Sequence, residues 1–546
     1  MLLGNEPLAN VKRSLPSLDT LSLAEQVAQM VVVRASGYLF DHQIQYPDWE
    51  PPAAKLQYWL QHLGVGGVIL LGGSAGELAL RSQQLQNWAK IPLLVAADIE
   101  EGVGQRFSGA TWFPPPMAIS GMPRRDPSLA QHYAEQLGAI TATEALAIGI
   151  NWVLAPVVDV NNNPDNPVIN VRAFGETPNV VSELATAFIR GAASYPVLTT
   201  AKHFPGHGDT ATDSHLDLPV LPHSSTRLAE IELPPFKAAI AAGVDAVMSA
   251  HLLIPNWDAD YPATLSKRIL THELRQQLGF EGLIVTDALV MGAIANRYGA
   301  SVAPVLAVEA GADILLMPVD PEAAIQAVCE AVKSGRIQQS RIRASVERIW
   351  KAKLKVGSRE LLAGEQGSRG GARDLMLELA QPGAFTLVDK ILRESQLVYG
   401  SVPLRLEKRI ESRPLRNLIV VDNLLACDFL GLHTPAIALP TQLGYTTVLS
   451  DLLTPHAATP AANQPTLLQL FIRGNPFRGS AGVTQVAQSW FNTLLLSGDL
   501  QALVLYGSPY ALEQFLPALP PEVPCVFSYG QMPDAQAIAL GTLFSI

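Results

Sequence analysis

The chain has 546 residues, 48% of them apolar and 16% charged, with 49 acids against 38 bases for a net charge of −11. So much apolar material over this length excludes a disordered chain and predicts two or three domains with a large core. The acidic balance excludes broad, sequence-independent nucleic-acid binding, which rests on basic patches. The three cysteines, Cys329, Cys427 and Cys525, are widely spaced. They match no CxxC, zinc-finger or disulfide pattern, and each reads as a small core residue. MLLGNEPLANVKRSLPSLD at the N-terminus lacks a basic start followed by an apolar run, so no signal peptide is expected. No run of 18 apolar residues occurs, so no membrane partner is expected and a soluble cytoplasmic protein is the default.

Along the chain, short apolar segments rich in β-branched residues alternate with helical patterns. Eight predict strands: QMVVVRA (29–35), GGVILL (66–71), PLLVAAD (92–98), NWVLAPVVD (151–159), PVLTTAKHF (196–204), VDAVMSAH (244–251), GLIVTD (282–287) and DILLMP (313–318). Near-continuous apolar runs suit parallel strands buried on both faces. SLAEQVAQM, PSLAQHYAEQLGAITATEALAIG and SKRILTHELRQQLG read as helices before or between them. This alternation predicts a (β/α)8 TIM-like barrel over residues 1–356. GSRELLAGEQGSRGGARD, 357–374, is rich in glycine and charge and reads as a linker. Beyond it, LIVVDN, LLQLFIR, ALVLYGS and VPCVFSYG predict strands of a smaller α/β domain over 375–546.

Several predicted strands end in a residue with chemical capability: Asp98, Asp159, Lys202 with His203, His251 and Asp287. The carboxyl ends of barrel strands converge on the face that carries the active site, so these scattered residues are expected to form one constellation.

The densest stretch is KHFPGHGDTATDSH, Lys202 to His215. His203 and His207 are four apart, like the paired ligands of a zinc helix. Pro205, Gly206 and Gly208 oppose a helix there, and no HExxH occurs, so no metal is expected. The stretch is either a satisfied polar loop or a catalytic one. Asp213 and His215 flank Ser214, and a carboxylate beside an imidazole fixes its tautomer and favours its protonated form. His215 is therefore a candidate general acid that later acts as base. Lys202 and His203 can donate to hydroxyls of a bound polar ligand. Asp287 is either a nucleophile at a strand end or the N-cap of the following apolar helix. The glycines around GVGG fit no phosphate-binding fingerprint, so nucleotide binding is not expected.

KHFPGHGDTATDSH resembles the signature of glycoside hydrolase family 3, in its β-N-acetylhexosaminidase branch. GVGGVILL, DIEEGVGQRF, GINWVLAPVVDVN, NPVINVRAFG, VMSAHLLIP, PATLSKRIL and LGFEGLIVTDALVMGAI are similar to family segments and follow in the family's order. FIRGNPFRG and LVLYGSPYAL are weaker marks of its second domain. The resemblance implies a barrel followed by an αβα sandwich, and a retaining exo-β-N-acetylhexosaminidase without cofactor or metal. It puts the nucleophile on Asp287, the general acid/base on His215 and its dyad partner on Asp213. It puts sugar binding on Asp98, Arg106, Arg172, Lys202 and His203. Its partner is a small carbohydrate: peptidoglycan fragments or chitooligosaccharides, with the cytoplasmic expectation favouring recycled muropeptides.

A histidine acid/base departs from the usual carboxylate pair. A neutral imidazole tolerates an anionic acceptor better than a carboxylate does, so phosphate is a candidate competitor of water. Absence of sugar 1-phosphate in phosphate buffer would count against that. DIEEGVG departs from the D-x-E-G-G that many members of the branch carry, which bears on fine substrate choice. The loop NWDADYPAT, 256–264, is a further candidate for shaping the entrance. The rivals are a β-glucosidase of the same family, an inactive sugar-binding protein, and a metal-dependent barrel hydrolase. Family β-glucosidases usually draw their acid/base from the second domain and lack the D-S-H loop. The oligomeric state and the role of residues 375–546 stay open.

Overall fold

The computed structural model describes residues 15–122, 127–210, 217–363, 377–404, 414–453, 464–474 and 481–546. Its first sheet has eight parallel strands: β1 (Val31–Ser36), β2 (Gly67–Leu71), β3 (Leu94–Ala97), β4 (Trp152–Val153), β5 (Leu198–Phe204), β6 (Ala246–Ser249), β7 (Leu283–Val285) and β8 (Leu315–Leu316). Neighbours follow in chain order, β8 pairs with β1, and a bridge from Val285 to Ile314 closes β7 onto β8. The expected barrel is present, with every predicted strand in it. Most strands are shorter than the apolar runs that announced them. In the run 151–159 the ladder stops at Val153, since Pro156 has no N–H to give it. The chain rejoins at Val157, which bridges Lys202.

The helices form as their signals dictate. Leu23–Gln29 opens with a capping box, Ser22 and Glu25 satisfying each other's backbone N–H groups. Pro127–Ala147 and Arg268–Gln277 occupy the predicted helical stretches. The long helix Gln339–Ala363 runs on through the first residues of the expected linker, and residues 364–374 lie outside the described ones. At the N-terminal mouth of the barrel, buried Asp313 accepts hydrogen bonds from Arg275, Ser345, Arg348 and the Ile284 N–H at 2.6, 2.5, 3.2 and 3.0 Å. That cluster ties the last two strands to the closing helix.

The second sheet comprises β9 (Leu397–Tyr399), β10 (Leu415–Val420), β11 (Tyr445–Ser450), β12 (Thr466–Ile472), β13 (Leu500–Gly507) and β14 (Cys525–Ser528). Their order is β11-β10-β12-β13-β14-β9, all parallel except β9. Four of the six match predicted strands. The two others are the edge strands, which are partly exposed; β9 is only three residues long and β11 is broken by two threonines. The period of two sorts the central strands: Leu468, Leu470 and Ile472 join the core that is continuous with the barrel, while Leu467 and Phe471 join a separate one on the other face. Cys329 and Cys525 are buried as expected, whereas Cys427 is only partly so. Burial pushes the Cys525 thiol up to about 12. No helix among the described residues is long and apolar enough to cross a membrane.

Candidate active site

β3 ends at Ala97, so Asp98 is the first residue beyond it, at the barrel's carboxyl-end face. Lys202 lies in β5 two strands away, with 1% of its side chain exposed. Its ammonium bridges Asp98 at 2.7 Å and Glu100 at 2.6 Å. Glu100 in turn grips Arg172 through two bonds, from Nε at 2.9 Å and Nη2 at 2.8 Å. Arg172 also donates to the Val168 carbonyl at 3.0 Å. The result is a chain of alternating charge, Asp98–Lys202–Glu100–Arg172, spanning three strand ends.

The electrostatics follow from that order. Burial opposes ionisation of Glu100, but Arg172 and Lys202 outweigh it and hold its carboxyl well below the usual carboxylate range. Burial likewise opposes charging of Lys202, and Asp98 and Glu100 raise its pKa above the ordinary lysine value. Arg172 is raised in the same way, burial being overcome by Glu100. A buried ion array of this kind adds little net stability compared with an apolar core; what it does is hold polar groups in one geometry.

His203 follows Lys202 in β5, and its Nδ1 lies 2.7 Å from Asp159 Oδ2. An ionised carboxylate only accepts, so Nδ1 carries the proton and Nε2 is the atom left to face a ligand. Asp159 is fully buried and also receives the backbone N–H groups of His203 and His207. Residues 203–207 thus form a strand end and a turn around one carboxylate. They do not form the helix that a zinc pair needs. Burial pushes the His207 imidazole down to about 4, so it is neutral near pH 7.

Asp287 lies two residues beyond β7 and is partly exposed. Its Oδ1 accepts from the N–H of Ala288 at 2.7 Å. The next helix begins only at Gly292, with Met291 as its N-cap, so the capping alternative for Asp287 does not hold. His251, two residues past β6, is fully buried beneath the site. Its Nε2 donates to the Ala288 carbonyl at 3.0 Å and its Nδ1 pairs with Thr264 Oγ1 at 2.8 Å. It therefore braces the residue after Asp287 from below. Arg106 is exposed and reaches the site through a 3.1 Å bond from Nε to the Asp98 carbonyl oxygen. Asp213 and His215 lie outside the described residues.

The structure thus brings Asp98, Arg106, Arg172, Lys202 and His203 together at one end of the barrel, where Asp287 also follows its strand. Sequence reasoning missed Glu100, the carboxylate that joins Lys202 to Arg172. The signal was there: in an extended segment, residues two apart share a side, and Glu100 stands two after Asp98. The departure at DIEEGVG also takes physical form. Glu101 is a buried carboxylate paired with Arg473 of the second sheet and with the Trp112 indole N–H at 3.0 Å.

Residues 22–352 match the model of the glycosyl hydrolase family 3 N-terminal domain, and residues 409–545 that of the bacterial glycosyl hydrolase family 3 C-terminal domain. Beta-hexosaminidase A of Pseudoalteromonas piscicida is 34% identical over 337 residues, which is 56% of this chain and 56% of that protein. The beta-hexosaminidase of Nitrosomonas eutropha is 34% identical over 320 residues, 57% of this chain and 91% of its own length. The solved structure of a family 3 beta-N-acetylglucosaminidase from Paenibacillus sp. str. FPU-7 superposes with a TM-score of 0.75 at 30% identity, covering 96% of this chain and 97% of that one. A closed parallel barrel with its charged groups at the strand carboxyl ends, a second sheet beyond it, and family models spanning most of its length leave one conclusion: the chain belongs to glycosyl hydrolase family 3.

Proposed function

We propose that the chain is a retaining exo-β-N-acetylhexosaminidase releasing terminal β-linked N-acetylglucosamine. The observation that carries the reading is the array Asp98–Lys202–Glu100–Arg172, set on the same barrel face as the partly exposed carboxylate of Asp287. Such an array suits a neutral polyol: fixed donors and acceptors, pre-ordered by one another, need no reorganisation when a sugar arrives. The names borne by the relatives support the N-acetyl sugar.

In this mechanism Asp287 attacks the anomeric carbon while His215, paired with Asp213, protonates the leaving oxygen. The C–O bond to the aglycone breaks as the bond to Asp287 forms. Water, deprotonated by His215, then displaces Asp287, and two inversions give net retention. Asp98, Lys202, Arg172 and His203 hold the sugar, and Arg106 steadies Asp98 from outside. Residues 1–356 are the catalytic unit, and residues 375–546 the second domain. Peptidoglycan fragments or chitooligosaccharides are the substrates, and the cytoplasm the compartment.

The test is hydrolysis of 4-nitrophenyl β-glycosides of N-acetylglucosamine and glucose by wild type and Asp287→Ala. Strong preference for the N-acetyl sugar, lost in the variant, is expected. A His215→Ala variant should slow poor leaving groups most. Equal slowing of good and poor leaving groups in the glycosylation step would remove His215 from the acid role.

A further inference from the structure

Two loops meet through the salt bridge of Glu100 with Arg172: the loop after β3 carrying Asp98 to Glu101, and the loop carrying Asn170 to Arg172. Both are touched from outside the barrel by one short segment. Arg473 and Gly474 immediately follow β12, at the carboxyl edge of the second sheet. Arg473 forms a two-pronged ion pair with Glu101, whose side chain has no exposed surface. Gly474 packs against the other loop: a Cβ there would stand 3.0 Å from both the Asn170 Cβ and the Pro167 carbonyl oxygen. The helix Pro509–Phe515, which follows β13, adds a third contact. The Asn161 side chain donates through Nδ2 to the Tyr510 hydroxyl at 2.9 Å, and its Oδ1 accepts the Asn170 N–H at 2.9 Å. Asn170 has a φ of +45°, an uncommon value for a residue with a Cβ, and one that persists only where surroundings enforce it.

We propose that Arg473 and Gly474 are positioning residues for sugar binding, a clamp through which the second domain holds the two barrel loops that carry Glu100 and Arg172. Arg473 acts through Glu101, which is peptide-bonded to Glu100, so a displaced Glu101 carries Glu100 with it and detunes Lys202 and Asp98. Charge and fit both matter: a buried carboxylate needs its cation, and a Cβ at residue 474 would push the Asn170 loop back by a few tenths of an ångström. The inference rests on the assignment of the Asp98–Arg172 array to sugar binding made above.

The test uses the full chain as Arg473→Gln, Arg473→Lys and Gly474→Ala, with 4-nitrophenyl N-acetyl-β-D-glucosaminide as substrate. Loss of positioning weakens ground state and transition state together, which raises KM and leaves kcat nearly unchanged. The expected rise for Arg473→Gln is on the order of tenfold, within the range that small misplacements cause, with partial recovery in Arg473→Lys. The Kd of N-acetylglucosamine, measured calorimetrically on Asp287→Ala with and without Arg473→Gln, should rise by the same factor. A merely structural arginine would lower Tm and leave KM and Kd unchanged at 25 °C, and that result overturns the proposal. If Arg473→Gln does not fold, Gly474→Ala carries the test alone: a folded variant with wild-type KM overturns the clamp. Wild type that neither cleaves nor binds the sugar would instead sink the functional reading beneath it.

Discussion

Acidification should unfold this chain partly through one histidine. His207 is 1% exposed, its backbone N–H is bound to Asp159 at 2.7 Å, and its Nδ1 meets Thr210 Oγ1 at 2.8 Å. Burial lowers its pKa from 6.5 to about 4, although Asp159 and Asp287 pull the other way. Between these values the unfolded chain binds a proton that the native one refuses, so stability falls as pH drops from 6.5 toward 4. At about pH 4.5 the unfolded imidazole is nearly all protonated and the native one mostly neutral, a difference of roughly 2–3 kcal/mol. His207→Asn removes the titration and keeps a polar atom near the Nδ1 position, at the cost of a small cavity. The assay is urea unfolding of both proteins near pH 7 and pH 4.5, followed by tryptophan fluorescence. Seven of the eight tryptophans precede residue 357, all but Trp490, so the signal reports the barrel. Wild type should lose roughly 2–3 kcal/mol more than the variant on acidification. Equal losses would refute the reasoning, because the imidazole would then titrate alike folded and unfolded.

The charged array should behave oppositely at its two ends. The lowered Glu100 carboxyl contributes stability above the unfolded carboxylate pKa that is lost as pH falls through its native value, while the raised Lys202 contributes below the unfolded lysine pKa and loses it as pH rises through its native value. The stability gap between wild type and Lys202→Met should therefore be about 3 kcal/mol, constant from about pH 5 to pH 9, and should narrow outside that window; a slope inside it would contradict the assigned ionisation. Asp313→Ala should cost about 2–3 kcal/mol, since it leaves the Ile284 N–H and three partly exposed arginines without their shared acceptor, while KM at 25 °C stays at the wild-type value because the cluster lies at the mouth opposite the site. Thermal melts and steady-state kinetics check both halves of that statement.

What the sequence determined by itself was the architecture and the list of chemical groups. Buried parallel strands must be apolar on both faces, so eight runs were visible, and a polar residue ending such a run has one face of the barrel to go to. Asp98, Lys202, His203 and Asp287 were legible for that reason, and the helix-breaking Pro205, Gly206 and Gly208 for theirs. Edge strands β9 and β11 were not legible, because β9 is too short to mark a strand and partial exposure lets threonines interrupt β11. Only the tertiary structure decided how the groups are used. It made Glu100 the link between Lys202 and Arg172, and it denied Asp287 a helix to cap. It also buried His251 under the site and brought Arg473 across 372 positions of chain to Glu101. Those outcomes depend on which strand ends become neighbours once the barrel closes and the second sheet docks. Local patterning shows which side chains leave a strand, whereas charge pairing is settled by the distances between elements remote in the chain.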